Sequence, residues 1–313
     1  MFSDDEADRW AIPPTEAFSV LGNEIRLGVL WALWEADEPK SYAELRRRVA
    51  PEDHGNFGYH LGKLRDQYIE KSPEGYLLRQ PGEQVIRSVL KGSFTDDPSI
   101  EPVTVDRECA FCGSPVQVSY EDETLTVSCT GCPGLIGGSR PDGTFMNYEF
   151  PPSGLAGRSP AELVDIAHLH YDSKIIPMLN GICPECAAQV EATFEVCSDH
   201  ERDAGLCSTC DRRDEAWAVL SCDHCEYERL SVVWSCAFYH PSVVTFLCDH
   251  GVDDLFSFRE LLWEDPRIVG NVRTELLGRD PYRFRVVLAM DDERLAVELT
   301  DDLEIDAVDR SAR

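Results

Sequence analysis

Five Cys-x-x-Cys steps and one Cys-x-x-His step fall between residues 109 and 225. Nothing else in the chain restricts its folding as much. Two thiolates separated by two residues form a tight knuckle that fills half of a tetrahedral metal shell. Two knuckles joined by a hairpin complete the shell, and the ion that suits such a set is zinc. A shell closed by four protein ligands leaves no position for water, so it holds structure rather than performing chemistry. The chain has 13 cysteines, an odd number, so full disulfide pairing is impossible. Its first residues, Met1 to Glu6, are acidic and lack the basic-then-apolar pattern of a secretory signal. No apolar run approaches the roughly 20 residues a membrane span needs. These features predict a cytoplasmic protein without a membrane partner. In a reducing compartment such cysteine pairs read as metal ligands.

The first ribbon is expected from Cys109 and Cys112 through an alternating stretch at Val116 to Tyr120, a turn at Glu121-Asp122-Glu123, and Leu125 to Val127, to Cys129 and Cys132. The second repeats its opening: Cys183, Cys186, Val190, Ala192, Thr193 and Phe194 follow Cys109, Cys112, Val116, Val118, Ser119 and Tyr120 at an offset of 74. This match indicates a tandem duplication. Ten residues separate Cys186 from Cys197, and eleven separate Cys210 from Cys222. If these stretches pair as a hairpin, Cys183, Cys186, Cys222 and Cys225 meet at one end. Cys197, His200, Cys207 and Cys210 then meet at the other, giving three zinc sites in all. The competing arrangement joins Cys183/Cys186 to Cys207/Cys210 and leaves Cys222/Cys225 without partners. The spacing favours the first. Cys236, His240, Cys248 and His250 have poor spacing for a knuckle and read as buried apolar cysteines with unrelated histidines. His224, between two ligands, reads as exposed.

The net charge of −29 argues bluntly against nucleic acid as a partner. The charge is uneven, however: residues 14–92 hold 12 acidic and 11 basic side chains, so almost all of the excess lies elsewhere. Only five of the 29 basic residues are lysine. An acidic, lysine-poor surface resembles that of proteins from extreme halophiles.

Within the neutral window, Leu21 to Leu30 opens an amphipathic helix with Ile25, Val29, Leu30 and Leu33 inward. Asp37-Glu38-Pro39 ends it. Ser41 and Glu44 form a capping box for a short helix carrying Leu45 and Val49. With Asp53 as N-cap, a third helix is expected from His54 to Arg65, burying Phe57, Leu61 and Leu64. Its other side offers Asn56, Tyr59, His60 and Lys63. Glycines 55, 58 and 62 lower its stability by roughly 1 kcal/mol each relative to alanine, a sign that something approaches this helix closely. A hairpin at Ile69–Ser72 and Tyr76–Arg79 and a helix from Pro81 to Leu90 follow.

That order is the order of a winged helix-turn-helix. The segment Leu21-Gly22-Asn23-Glu24-Ile25-Arg26-Leu27 resembles the opening of ArsR-type repressors, and Tyr59-His60-Leu61-Gly62-Lys63-Leu64 resembles their recognition helix. Gly75-Tyr76-Leu77-Leu78 followed by Pro81-Gly82 is similar to the wing and closing helix of haloarchaeal members, some of which carry a cysteine-rich C-terminal half. The resemblance covers about a quarter of the chain. It implies a homodimeric regulator of double-stranded DNA. In a major groove, Asn56 would pair with adenine, Lys63 and Arg65 would reach guanine or phosphate, Tyr59 and His60 would lie at the interface, and Lys71 and Arg79 would meet phosphate from the wing.

The organisation expected is α+β. It comprises an acidic, disordered 1–13, a winged helix-turn-helix over 14–92, zinc ribbons over 103–137 and 181–230, a linker with a helix over 138–180, and a small α+β region over 231–313. In that last region a helix is predicted over 256–263 and a hairpin over 283–299. Helices headed by Pro160 and Pro241 follow the two ribbons. The function expected is a DNA-binding transcription regulator whose ribbons give rigidity, dimerisation or a partner surface. The alternative is a zinc-ribbon adaptor whose winged helix contacts protein, for instance transcription machinery. An enzyme is not expected, since no His-Glu-x-x-His, phosphate loop or nucleophile elbow occurs.

Overall fold

The computed structural model describes residues 11–52, 55–201, 205–252 and 266–312. The acidic residues 1–10, the N-cap Asp53 and its neighbour His54, and the helix expected over 256–263 lie outside the described residues. The fold is mixed α+β with several small antiparallel sheets, and it divides into two compact units at residues 96 and 97.

The first unit contains α1 (Pro14–Leu21), α2 (Glu24–Trp34), α3 (Tyr42–Val49), α4 (Phe57–Leu64), a hairpin of β1 (Ile69–Lys71) and β2 (Tyr76–Leu78), and α5 (Gln80–Lys91). The helix expected to open at Leu21 is in fact broken there. Gly22 ends α1, and the extended Asn23 caps α2 by accepting from the Arg26 N–H at 3.1 Å. Asn and Asp side chains compete with the helical backbone in this way, so such a residue starts a helix more readily than it continues one. The Ser41–Glu44 box starts α3: the Ser41 N–H donates to Glu44 Oε2 at 2.8 Å and the Glu44 N–H to Ser41 Oγ at 3.3 Å. Gly28 lets α2 approach α3, since a Cβ there would stand 2.7 Å from Val49 Cγ1. Val29, Leu30, Leu45, Phe57, Leu61, Leu64, Ile69 and Ile86 form one apolar core. Each contributes about 1.5–3 kcal/mol through its burial.

The second unit holds three antiparallel sheets. The first runs in order β3 (Ile100–Glu108), β4 (Pro115–Glu121), β5 (Thr124–Cys129), β6 (Thr144–Glu149). The second is β7 (Val190–Val196), β8 (Ala216–Cys222), β9 (Glu228–Val232). The third is a meander of β10 (Val272–Arg279), β11 (Tyr282–Met290), β12 (Glu293–Leu299) and β13 (Ile305–Ala312). Between the first two sheets the chain forms α6 (Pro160–Leu179), with Ser159 and Glu162 as its capping box. After β9 come α7 (Val233–Cys236) and α8 (Pro241–Asp249).

The segments read from sequence as ribbon, linker, ribbon and C-terminal region share one core. Val118, Phe145, Leu163, Trp217, Trp234, Phe246 and Phe284 belong to a single cluster. Phe194 of β7 packs on Phe284 of β11 with ring centroids 4.9 Å apart. Arg107 of β3 pairs with Asp165 of α6 at 2.6 Å, and Tyr171 of α6 donates to the Leu230 carbonyl of β9 at 2.9 Å.

Candidate metal centres and nucleic-acid interface

The two ribbons are built on the same register. Val116 lies opposite Cys129 in the β4–β5 hairpin, and Val190, its counterpart 74 residues on, lies opposite Cys222 in the β7–β8 hairpin. Each hairpin therefore returns its second knuckle to the side of its first. The β4–β5 turn is tight, whereas β7 and β8 continue to Val196 and Ala216 and carry a second set of ligands at their far end.

Three clusters result: Cys109, Cys112, Cys129 and Cys132; Cys183, Cys186, Cys222 and Cys225; and Cys197, His200, Cys207 and Cys210. Within each, the ligand atoms all lie within 4.8 Å of one another. The inner and outer sets thus occupy opposite ends of one hairpin, and the competing arrangement is not adopted. Sulfur separations are 3.7 Å for Cys109–Cys132, 3.4 Å for Cys112–Cys129, 3.6 Å for Cys183–Cys225 and 3.5 Å for Cys186–Cys222. In the inner set Cys210 Sγ stands 3.6 Å from His200 Nδ1. Disulfide sulfurs would be about 2.05 Å apart. A tetrahedral shell with metal–sulfur bonds of about 2.3 Å has edges of about 3.8 Å. The three clusters are thus compatible with three metal ions.

Four knuckles share one backbone pattern. The N–H of Cys109, Cys183, Cys207 and Cys222 donates to the carbonyl five residues on, and each cysteine's own carbonyl accepts from the N–H four residues on, at 2.8–3.0 Å. The fourth residue has positive φ each time: Gly113, Ala187, Asp211 and Glu226, at 71°, 61°, 54° and 59°. Only the first is the glycine this conformation favours, and an L-residue there costs roughly 1–2 kcal/mol. Ala187 is exposed, so Ala187→Gly removes strain without removing packing. It should raise stability by about 1 kcal/mol in a denaturant melt; an unchanged or lower midpoint would refute this.

The sulfurs do not ionise alike. The Ser114 hydroxyl, with that residue's N–H, holds the Cys112 thiol down to about 6. The Glu201 N–H leads the hydrogen bonds that bring Cys207 to about 6. Burial pushes Cys109 up, and Cys210 up to about 12. Four adjacent thiolates repel one another, and a cation at their centre is what would let them coexist.

The first and inner clusters are neighbours, a feature not legible from spacing. The Gly137 N–H donates to the Asp211 carbonyl at 2.8 Å, Arg213 Nε donates to the Gly134 carbonyl at 2.9 Å, and the Arg213 guanidinium lies 4.1 Å from the Phe111 ring centroid.

The remaining cysteines make no cluster among the described residues. Cys236 is buried, and burial pushes its thiol up to about 12. Cys248 is exposed, which corrects its expected burial: it lies on the outer side of α8. His240 caps α8, accepting from the Ser242 N–H at 3.2 Å, and His250 Nδ1 meets the Phe246 carbonyl at 2.7 Å. His224 is exposed.

In the first unit, α4 buries Phe57, Leu61 and Leu64 and turns Tyr59 and Lys63 outward, with Asn56 exposed at its N-cap position. Spaced three then four, these outward residues form one row. Lys63 Nζ lies 5.9 Å from the Tyr59 ring centroid. His60 is half-buried, edge-on to Tyr59 at 5.5 Å. Arg65 is not on the helix: it caps α4 in an extended conformation and faces Asp66 at 3.5 Å. Lys71 and Arg79 are exposed at the hairpin and before α5. A Cβ built at Gly55 or Gly62 meets no heavy atom within 4 Å, and one at Gly58 makes only ordinary contact with the Tyr42 hydroxyl. Among the described residues, no packed helix therefore accounts for Gly62.

Residues 106–305 match a domain of unknown function, DUF7351, and residues 14–89 match another, DUF7347. No curated protein and no solved structure matches the chain.

Proposed function

The chain belongs to the DUF7351 family, and for this member we propose site-specific binding of duplex DNA as a transcription regulator. On this reading α4 enters the major groove and the β1–β2 hairpin acts as the wing of a winged helix-turn-helix. The observation that carries it is the face of α4. Asn56, Tyr59 and Lys63 stand exposed in a row beside Gly62, where an added Cβ would meet no described heavy atom within 4 Å. The chain has 58 acidic residues, yet Phe57–Leu64 contains none. Arg46 and Arg47 of α3 add positive charge close by in sequence, whereas Arg48 pairs with Glu35. The resemblance of Leu21–Leu27 and Tyr59–Leu64 to ArsR-type repressors points the same way.

Zinc is the ion we assign to the three clusters, since sets of four thiolates, or of three thiolates and an imidazole, at tetrahedral size suit it best. Its role here is structural. A homodimer would place two α4 helices in half-sites about one helical turn, roughly 34 Å, apart. In molar salt the Debye length is about 3 Å, so binding would rely on base-edge hydrogen bonds and shape more than on counterion release.

The test is a mobility shift at molar KCl with the DNA upstream of the protein's own gene. The intact protein should retard it. Asn56→Ala should lose about 1–3 kcal/mol of affinity and relax selectivity at one base pair. Lys63→Ala should weaken binding by a similar factor for all sequences tested. Absence of a shift at any salt concentration would reject DNA binding and leave the adaptor for transcription machinery.

A further inference from the structure

A cavity of about 280 Å³ opens within the second unit where β6, α6 and β9 converge with the chain around α7. Its walls are strongly aromatic: Phe145, Tyr148, Tyr171, Trp217, Trp234 and Tyr239 all line it. Polar residues line it in two parts: Arg140, Asn147, Glu228 and the paired Arg229 and Glu149 form one, and a buried pair on α6 forms the other. His168 and Asp172, one turn apart on α6, are 3% and 2% exposed. Tyr148 Oη lies 2.6 Å from His168 Nδ1, and Tyr239 Oη donates to Asp172 Oδ1 at 3.0 Å. Asp172 Oδ2 makes no hydrogen bond among the described residues, and His168 Nε2 stands 3.5 Å from it.

A buried carboxyl with an oxygen left over is costly, by several kcal/mol if charged. Packing alone does not call for it, because a leucine would fill the same place on α6. Burial also pushes the Asp172 carboxyl up to about 7, against the Tyr239 hydrogen bond that lowers it. Asp172 Oδ2, without a hydrogen bond among the described residues, is thus placed at the cavity wall beside the aromatic side chains. Ligand sites combine aromatic walls with placed polar groups that fix orientation, and the aromatic side of this cavity meets the Asp172 carboxyl in that way. A dry cavity of about 150 Å³ admits a benzene ring, so this one has room for about a dozen non-hydrogen atoms.

We propose that this cavity binds a small, ring-containing, mainly apolar organic molecule bearing one hydrogen-bond donor, a hydroxyl or an amine, which is received by the Asp172 carboxyl. Aromatic walls serve either donor: they pack on a ring and also stabilise an ammonium group through their π faces. The site is independent of the proposed DNA interface, since every lining residue belongs to the second unit.

Binding is measured on the full, metal-loaded chain by intrinsic tryptophan fluorescence, which Trp217 and Trp234 report, and by thermal shift. The probes are 4-methylphenol, 4-methylbenzylamine and p-xylene, which has a methyl group where the phenol has its hydroxyl. At least one donor-bearing probe should saturate the signal and raise the melting temperature, binding tenfold or more tighter than p-xylene. The preferred probe tells hydroxyl from amine. Asp172→Leu should abolish the preference over p-xylene, and Leu230→Trp, which fills the cavity from β9, should abolish binding of all three. The proposal is overturned if no probe saturates, if p-xylene binds as well as the donor-bearing probes, or if Leu230→Trp leaves binding intact.

Discussion

Cys222→Ser should reduce the metal content from three ions per chain to two and cost the second unit its cooperative fold. Cys222 ends β8, is 1% exposed, and lies 3.5 Å from Cys186 Sγ. It also belongs to the apolar cluster with Ile175, Met178, Val190 and Leu220, so the outer site is continuous with packing against α6. Structural zinc binds with an apparent free energy of about 10–16 kcal/mol. A whole domain is stable by only about 5–15 kcal/mol. Losing one of four ligands forfeits much of the former and leaves a polar hydroxyl at the buried end of β8 beside three thiols that no longer share an ion. Elemental analysis and a denaturant melt read both effects. Cys248→Ser, on an exposed cysteine outside the clusters, should change neither. If Cys222→Ser keeps three ions and the parental midpoint, that cluster does not hold metal. Chelation should mimic the substitution, and so should acid, because the ligating thiolates must be deprotonated: affinity falls as pH falls.

The reason these clusters are legible in the sequence is that their information is local. A knuckle is written within four residues, and the near-equal lengths of Cys186–Cys197 and Cys210–Cys222 allow only one hairpin with ligands at both ends. The partners of that scaffold are not legible. β3 shows an irregular burial pattern with bulges on both sides of its Val103–Val105 pairing, so it lacks the alternation that marks a strand. Among the described residues β13 pairs with β12 alone, and most of its side chains are exposed, which hides it for the same reason. The apolar spacing after Pro160 predicts a helix ending near His168, but the helix continues to Leu179. Its inward stripe contains His168 and Asp172, and polar residues at core positions break the apolar periodicity by which helices are recognised. That same break is the one available signal for the cavity. Even so, the cavity walls come from positions as distant as Phe111 and Val269, and no spacing rule joins them.

Gly62→Leu should stabilise the first unit while abolishing its binding to DNA, and this opposition separates the regulatory reading from a purely structural one. Gly62 is exposed within α4, and a Cβ there meets no heavy atom within 4 Å. Leucine is the better helix former by roughly 0.8 kcal/mol, and no described neighbour resists it. A melt should therefore shift upward. A glycine retained against that gain needs a reason outside the fold of the unit. The proposed reason is a groove wall that comes close to the backbone of α4 between Tyr59 and Lys63. Several added heavy atoms at that point would push the helix outward and break the base-edge geometry of the whole row, so affinity should fall at least tenfold. If Gly62→Leu raises the melting midpoint and binds the operator as well as the parent, the outer face of α4 does not enter DNA. If it lowers the midpoint instead, something in the chain already occupies the space beside Gly62, and the glycines are explained by packing.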